Sequence, residues 1–238
     1  GTGMRLLEVK DLKTYFATSK GKAKAVDGVS FSLDYGQCLG LVGESGCGKT
    51  TTALSICHLL PKEGKVESGQ ILMEGIDYGT LSEEEIMKHR WEDVSIIFQG
   101  AMNAFNPVKK VGWQIAEACI LHQGMSKEEA WKRAGDLFEM VGIARERVSQ
   151  YPHEFSGGMK QRAMIAMALA CNPKLIIGDE PTTALDVMIQ AQILELLEKL
   201  RKELNMGMIL ITHDLSILSE TCDKIAVMYA GKIAEMGT

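Results

Sequence analysis

No apolar run in this chain approaches the roughly 18–20 residues that a bilayer-crossing helix needs. The longest, Ala163 to Cys171, is about half that length, so no membrane span is expected. No apolar leader with a small-residue cleavage site is read at the N-terminus. Gly1, Thr2 and Gly3, ahead of Met4, read as a cloning remnant and are left out of fold reasoning. Metal and disulfide spacings are also missing. The cysteines are Cys38, Cys47, Cys57, Cys119, Cys171 and Cys222, and none lies two or three residues from another. That excludes the usual zinc and iron–sulfur patterns and a secreted disulfide framework. Most of these cysteines read as small core residues, and a reducing cytosol fits them. Basic charge is in deficit: 26 Lys and Arg against 31 Asp and Glu give a net −5. There is no overall basic field to draw in nucleic acid, though a local patch stays open.

What is present is core material. The chain has 238 residues, 46% of them apolar and 24% charged. That suffices for one large domain, or one domain with an inserted lobe. Residues 5–16 and 26–34 alternate apolar and polar, with the polar stretch SKGKAKA between them as the tip of a β-hairpin. QCLGLVG reads as a short buried strand, followed by a helix, KTTALSICHLL, that Pro61 ends. Residues 66–76 read as strand. Ser82 and Glu85 form a capping box for a helix to about His89, and VSIIFQ (94–99) is a second buried strand.

From Gly100 to Ala170 the texture changes, and no strand is expected. Asn106-Pro107 marks a turn. Helices follow over about 113–123 and 127–140, the second opened by Ser126 with Glu129 and ended at Gly142. A strand KLIIG resumes the core. An amphipathic helix runs from about Val187 to Leu204, with Ile189, Ile193, Leu196, Leu197, Leu200 and Leu204 on one face and Gly207 as its stop. MGMILIT is another strand, and KIAVMYAGKIAEMG closes as a hairpin. Strand–helix alternation of this kind predicts an α/β fold with a mostly parallel sheet. An N-terminal antiparallel β subdomain (4–35 and 66–76), a core (36–65, 77–99 and 171–238) and an inserted helical subdomain (100–170) complete the expected architecture.

Chemistry concentrates at a few points. GESGCGKT places Gly43, Glu44, Ser45, Gly46, Cys47, Gly48, Lys49 and Thr50 between a buried strand and a helix, the context that makes the pattern a phosphate loop. Its backbone N–H groups turn inward around phosphates, with Thr51 following in the same turn. Lys49 reaches the β/γ oxygens, and the Thr50 hydroxyl ligates Mg²⁺. Asp179 and Glu180 follow the KLIIG strand, which is expected beside the phosphate-loop strand. An acidic pair at a strand end is often a surface turn. With a phosphate loop in the same chain, Asp179 is expected on Mg²⁺ and Glu180 as the base that takes a proton from water. Burial and a neighbouring carboxylate would raise the pKa of Glu180 toward that task. His213 ends MGMILIT on the ligand-binding edge of such a sheet, placed to reach a γ-phosphate or orient water. Gln99 ends VSIIF on the same edge, where it could touch Mg²⁺ or the water and sit at the hinge to the helical lobe. The turn Ser156-Gly157-Gly158 opens a helix and is a second anion site. Lying in the helical stretch, it need not face its own phosphate loop and could face that of a second subunit, as in a two-fold dimer.

Taken together, from Leu7 to Gly237, these features resemble the ATP-binding subunit of an ABC transporter. GESGCGKT is similar to its P-loop, Gln99 to its Q-loop glutamine and FSGGMKQR to its signature motif. LIIGDEPTTALD is similar to its Mg²⁺ and base segment, running into a D-loop at Ala184-Leu185-Asp186, and His213 to its switch histidine. The resemblance implies that Ser156 and Gly158 cap the γ-phosphate of ATP held by a partner ATPase subunit, the same chain or a paralogue. It also implies two membrane-spanning permease partners, an extracellular solute-binding protein acting indirectly, and a place on the cytoplasmic face of the membrane. An adenine-stacking aromatic is expected near the first strand: Phe16, with Tyr15 as the alternative. IIFQGAMNAFNPV and YPHEFSGGMKQRAMIAMALACNPKLIIGDEPTTALDVMIQAQIL resemble the oligopeptide, dipeptide and nickel importer branch, many members of which carry a C-terminal extension. Gly178 stands where Ala is common. The competing readings are a soluble clamp ATPase on nucleic acid or ribosomes, which usually has coiled-coil inserts or basic arms, and an exporter subunit.

Overall fold

The computed structural model describes residues 5–43, 47–97, 104–180 and 186–237, and only the backbone of Cys47, Arg90, Trp91 and residues 234–237. It separates into two compact units. The first comprises residues 1–96, 174–180 and 201–238, and the second residues 97–173 and 181–200.

The first unit carries two sheets. In one, β1 (Leu7–Thr18) lies antiparallel between β2 (Gly21–Leu33) and β4 (Gly64–Met73), with the two-residue β5 (Ile76–Asp77) beyond. β2 begins at Gly21, so most of the stretch read as a polar loop is strand, and only Ser19 and Lys20 turn. The strand read over 66–76 is broken in two by a turn in which Glu74 and Gly75 both have positive φ.

The second sheet has the order β10-β9-β3-β8-β7-β6. Its strands are β3 (Cys38–Gly43), β6 (Val94–Ile97), β7 (Leu175–Asp179), β8 (Gly207–Ile211), β9 (Lys224–Tyr229) and β10 (Lys232–Gly237). β3, β7, β8 and β9 run parallel, and β10 returns antiparallel to β9. The buried runs of β3, β7 and β8, free of charge except for Asp179, reflect burial on both faces, the mark of a parallel sheet covered by helices. Leu39, Leu41, Ile177, Ile209 and Ile211 share one core with Leu6, Leu12, Val26 and Phe31 of the antiparallel sheet.

α1 (Cys47–Cys57) follows β3, and α2 (Glu83–Asp93) precedes β6. The Ser82–Glu85 capping box forms as expected, with the Glu85 N–H donating to Ser82 Oγ at 3.2 Å. α2 runs on to Asp93, past the expected end at His89, because Asp93 is anchored there by the Tyr78 hydroxyl at 2.9 Å. α7 (Leu215–Thr221), not read from the sequence, packs on β3 and is capped by Asp214, whose carboxylate accepts from the Ser216 N–H.

In the second unit, α3 (Val111–Gln123), α4 (Lys127–Met140) and α5 (Gly157–Leu169) pack on one another. Ile115, Leu137, Phe138, Phe155 and Ile165 are buried, and the rings of Phe138 and Phe155 meet edge to face at 6.1 Å. No strand occurs among the described residues of 104–170. The Ser126 cap on α4 forms as predicted. Gly112 is required by close approach, since a Cβ there would lie 2.5 Å from the Val148 carbonyl oxygen.

α6 (Val187–Leu204) spans the predicted range and belongs to the second unit through Leu200 and to the first from Arg201. Ile193, Leu196, Leu197 and Leu200 are buried as read. Leu204, the last residue of the helix, is 43% exposed. The stop is Asn205, at φ 52°, rather than Gly207, which opens β8. Asparagine tolerates the left-handed conformation that ends a helix, so it takes the place glycine was expected to fill.

Candidate active site

β3, β8 and β7 run in the same direction, so Gly43, Ile211 and Asp179 reach the same edge of one sheet. β7 is not the neighbour of β3, contrary to expectation; β8 lies between them, with Leu41 and Asp179 both in register with Ile211. The Thr212 N–H donates to the Leu41 carbonyl (3.2 Å) and the Glu180 N–H to the Ile211 carbonyl (2.7 Å), which extends the ladder beyond the strands.

Gly43 closes β3. A Cβ on it would sit 2.2 Å from the Met228 carbonyl oxygen, so no side chain fits. Lys49 is buried, and its ammonium donates to the Gly43 carbonyl at 2.9 Å, folded back over the start of the loop. Thr50 Oγ1 donates to Asp179 Oδ2 at 2.9 Å, joining the start of α1 to the end of β7 across the intervening strand. Glu44, Ser45, Gly46 and the Cys47 side chain lie outside the described residues. Gly48 and Thr51 open α1, where the Thr52 hydroxyl donates to the Gly48 carbonyl at 2.8 Å and Thr51 is buried. The Ser55 hydroxyl donates to the Thr51 carbonyl and shares a second hydrogen bond, 2.9 Å, with Thr14 of β1. This buried pair, which the sequence reading missed, clasps the phosphate-loop helix to the antiparallel sheet.

Asp179 is 7% exposed. Burial raises its pKa, the charge of Glu180 adds to the rise, and the Thr50 hydrogen bond and Lys49 oppose it; the net direction is upward. The first described residue after β7, Glu180, has φ 49°, a left-handed backbone that a side chain adopts at some cost. Glu180 Oε1 lies 2.8 Å from His213 Nδ1, so the two residues singled out from separate strands meet. His213 is exposed, directly ahead of the Asp214 cap of α7. Gln99 lies outside the described residues.

Of the two aromatics, Tyr15 is already engaged: its hydroxyl donates to Asp27 Oδ1 at 2.9 Å, and Lys24 Nζ stands 5.6 Å from the ring centre. Phe16 is half-buried against Gly64, where a Cβ would come within 2.8 Å of its ring.

In the second unit, Ser156 caps α5, its hydroxyl accepting from the Met159 N–H at 3.2 Å. The cap leaves the first N–H groups, those of Gly157 and Gly158, without intrahelical acceptors. A Cβ on Gly158 would meet Ile189 of α6 at 2.9 Å, which keeps that turn small. Asp186 is exposed and caps α6 by accepting from the Ile189 N–H at 2.9 Å. Ala184 and Leu185 lie outside the described residues.

Among the described residues, no group of three or more His, Cys, Asp or Glu gathers as a metal cage. The Thr50 hydroxyl and the Asp179 carboxylate are hard oxygen donors at hydrogen-bond distance from each other. That pair fits magnesium, which takes few protein ligands and completes its shell with phosphate and water.

Comparison with known proteins gives a consistent result. The family profile described as ABC transporter matches residues 26–183. The oligopeptide transport ATP-binding protein OppD of Bacillus subtilis is 54% identical over 98% of this chain, which spans 66% of that protein. The dipeptide transport ATP-binding protein DppD of the same organism is 50% identical, with 71% of its length covered. The chain thus spans about two thirds of the length of these curated relatives. Among solved structures, a dimeric post-hydrolysis state of the ATP-binding cassette MJ0796 bound to ADP and Pi superposes with a TM-score of 0.85 at 27% identity, over 98% of both chains.

Proposed function

This chain belongs to the ABC transporter family and carries its ATPase domain, and from that premise we propose that it is the ATP-hydrolysing subunit of a peptide importer. The observation that carries the reading is the Thr50–Asp179 hydrogen bond at the mouth of the phosphate loop, with Glu180 and His213 paired beside it. The relatives named for oligopeptide and dipeptide transport support peptides as the solute class.

In the proposed mechanism, phosphate oxygens of ATP lie against the N–H groups from Gly43 to Thr51, and the Lys49 ammonium leaves the Gly43 carbonyl for them. Thr50 and Asp179 would hold magnesium, with Gln99 as a further proposed ligand. When bound, magnesium would neutralise charge that develops on the phosphates. Phe16 offers a ring face to adenine, because Tyr15 is held by Asp27 and Lys24. Glu180 accepts a proton from the attacking water while His213 holds its other oxygen in place. The new bond forms at the γ-phosphorus, the bond to the β–γ bridging oxygen breaks, and ADP and phosphate are released. Ser156 and Gly158 face the γ-phosphate of ATP on a partner ATPase subunit, with Asp186 at that seam. The closed dimer is favoured only by the contacts that ATP makes there and not in the open state. Two membrane-spanning subunits would receive that motion at the cytoplasmic face. No helix among the described residues is long and apolar enough to cross a membrane itself.

Mild-detergent purification of the tagged chain from its native membranes, followed by mass spectrometry, tests the proposal. Recovery of two multi-span proteins, with peptide-stimulated ATP turnover when the solute-binding protein is added, is the expected result. Reproducible recovery of ribosomes or soluble partners alone would overturn it.

A further inference from the structure

At the end of β3 opposite Gly43, Cys38 Sγ and Cys222 Sγ lie 2.9 Å apart. A disulfide needs sulfurs about 2.0 Å apart, so closure takes a movement of about 0.9 Å. The backbone around both is already fixed. The Cys38 N–H donates to Asp223 Oδ2 at 2.8 Å, and the Asp223 N–H donates to the Cys38 carbonyl at 2.9 Å. Cys222 is the C-cap of α7, its N–H bonded to the Leu218 carbonyl. Arg201 lies in the same pocket, with its guanidinium bonded to the Gly36 carbonyl and paired with Asp223 at 3.5 Å. The Arg201 charge acts against the rise in the Cys38 thiol pKa but does not overcome it. Cys38 is buried, whereas Cys222 is half-buried.

We propose that Cys38 and Cys222 form a redox-responsive dithiol that a hydroperoxide closes to a disulfide and a small thiol reopens. Cys222 sulfur attacks a peroxide oxygen. The O–O bond breaks, water leaves, and Cys222 becomes a sulfenic acid. Cys38 sulfur then attacks the sulfenic sulfur, the S–S bond forms, and the oxygen departs as a second water. The two thiols lose two electrons and two protons, which hydrogen peroxide takes up. The order of events follows from access: Cys38 is buried and Cys222 only partly so, which makes Cys222 the sulfur that meets the peroxide and Cys38 the one already in contact with it.

The bond would fasten the C-cap of α7 to the first residue of β3. Leu218 of α7 already rests over Gly40, where a Cβ would come within 2.9 Å of it. The same helix begins just after His213. The cross-link joins residues 184 apart in sequence, so it restricts the unfolded chain strongly.

The test uses the full chain, treated with hydrogen peroxide or with a phosphine reductant. Non-reducing digestion and mass spectrometry should recover the peptides of Cys38 and Cys222 joined, with the mass lowered by two hydrogens. The thermal midpoint should rise on oxidation and return with reductant, and both Cys222→Ser and Cys38→Ala should lose the shift. The yield of the linked peptides should not depend on protein concentration. Oxidation of Cys222 to sulfinic acid with Cys38 still alkylatable would overturn the proposal. So would an intermolecular Cys222 link, or an unchanged shift in Cys222→Ser.

Discussion

Asp179 and Glu180 are adjacent carboxylates in unlike surroundings, and this separates their proposed tasks. Asp179 is buried under Thr50, while Glu180 turns outward to His213. Glu180→Gln keeps the length and shape of the side chain but cannot accept a proton. It should bind ATP normally and slow hydrolysis by at least about 10²-fold, measured as single-turnover phosphate release. Turnover within a few fold of the parent would remove Glu180 from the base role. Asp179 gives a pH prediction. Its folded-state pKa is raised, first by burial, so the folded chain binds this proton more tightly than the unfolded chain does. Its contribution to stability is therefore fully present below the unfolded pKa and is lost as pH rises through the folded one. In the proposed site, magnesium needs the carboxylate. Magnesium-dependent nucleotide affinity should consequently weaken on acidification at a higher pH than an ordinary aspartate would give, and Asp179→Asn should flatten that dependence. Titration of a fluorescent nucleotide with and without magnesium would show it; the same pH profile in both variants would exclude Asp179 as the source. The identities of these residues were legible because each sits at a strand end or helix start. The Thr14–Ser55 clasp was not, since two hydroxyls in unremarkable strand and helix positions carry no pattern until the elements meet.

Helices were more legible than strands, for physical reasons. α4 matched its predicted span because its Ser126 cap could be read, and α6 because its 3.6-residue period is long. β2 was read short because Lys22 and Lys24 look like loop residues. They lie at the edge of the sheet, where exposed lysines discourage pairing with another chain, and Lys22 also reaches Glu67 at 2.8 Å. α7 has only seven residues, too few for a period to show. Two substitutions probe the helical unit. Phe138→Ala removes a fully buried ring that meets Phe155, and should cost about 3–5 kcal/mol in chemical denaturation. Ser156→Ala removes only the α5 cap and should cost about 1 kcal/mol. A larger loss for Ser156→Ala than for Phe138→Ala would mean that α5 is held by its turn rather than by its packing.

For the whole molecule, the two helix starts proposed to read phosphate fall in different compact units, Lys49 and Thr50 in the first, Ser156 and Gly158 in the second. A chain that reads phosphate in this proposed way, with two separate bodies, is suited to work as a pair. Ser156→Arg, placed in a Glu180→Gln background, should bind ATP as a monomer but fail to dimerise with it, by light scattering after size exclusion. Loss of ATP binding by a folded monomer would instead place Ser156 on its own nucleotide. The sequence could suggest this partnership but not identify the partner, since an exposed Ser-Gly-Gly turn does not encode what approaches it.

The left-handed backbone at Glu180 has a consequence for anyone who tries to make this protein more heat-resistant. A non-glycine residue held there costs roughly 1–2 kcal/mol. Glycine relieves that strain and gives back about 0.5–1 kcal/mol in chain entropy. The difference favours Glu180→Gly, so a screen that rewards endurance alone should enrich folded, durable variants that lack the proposed base. Selection has to be coupled to turnover for the carboxylate to survive it.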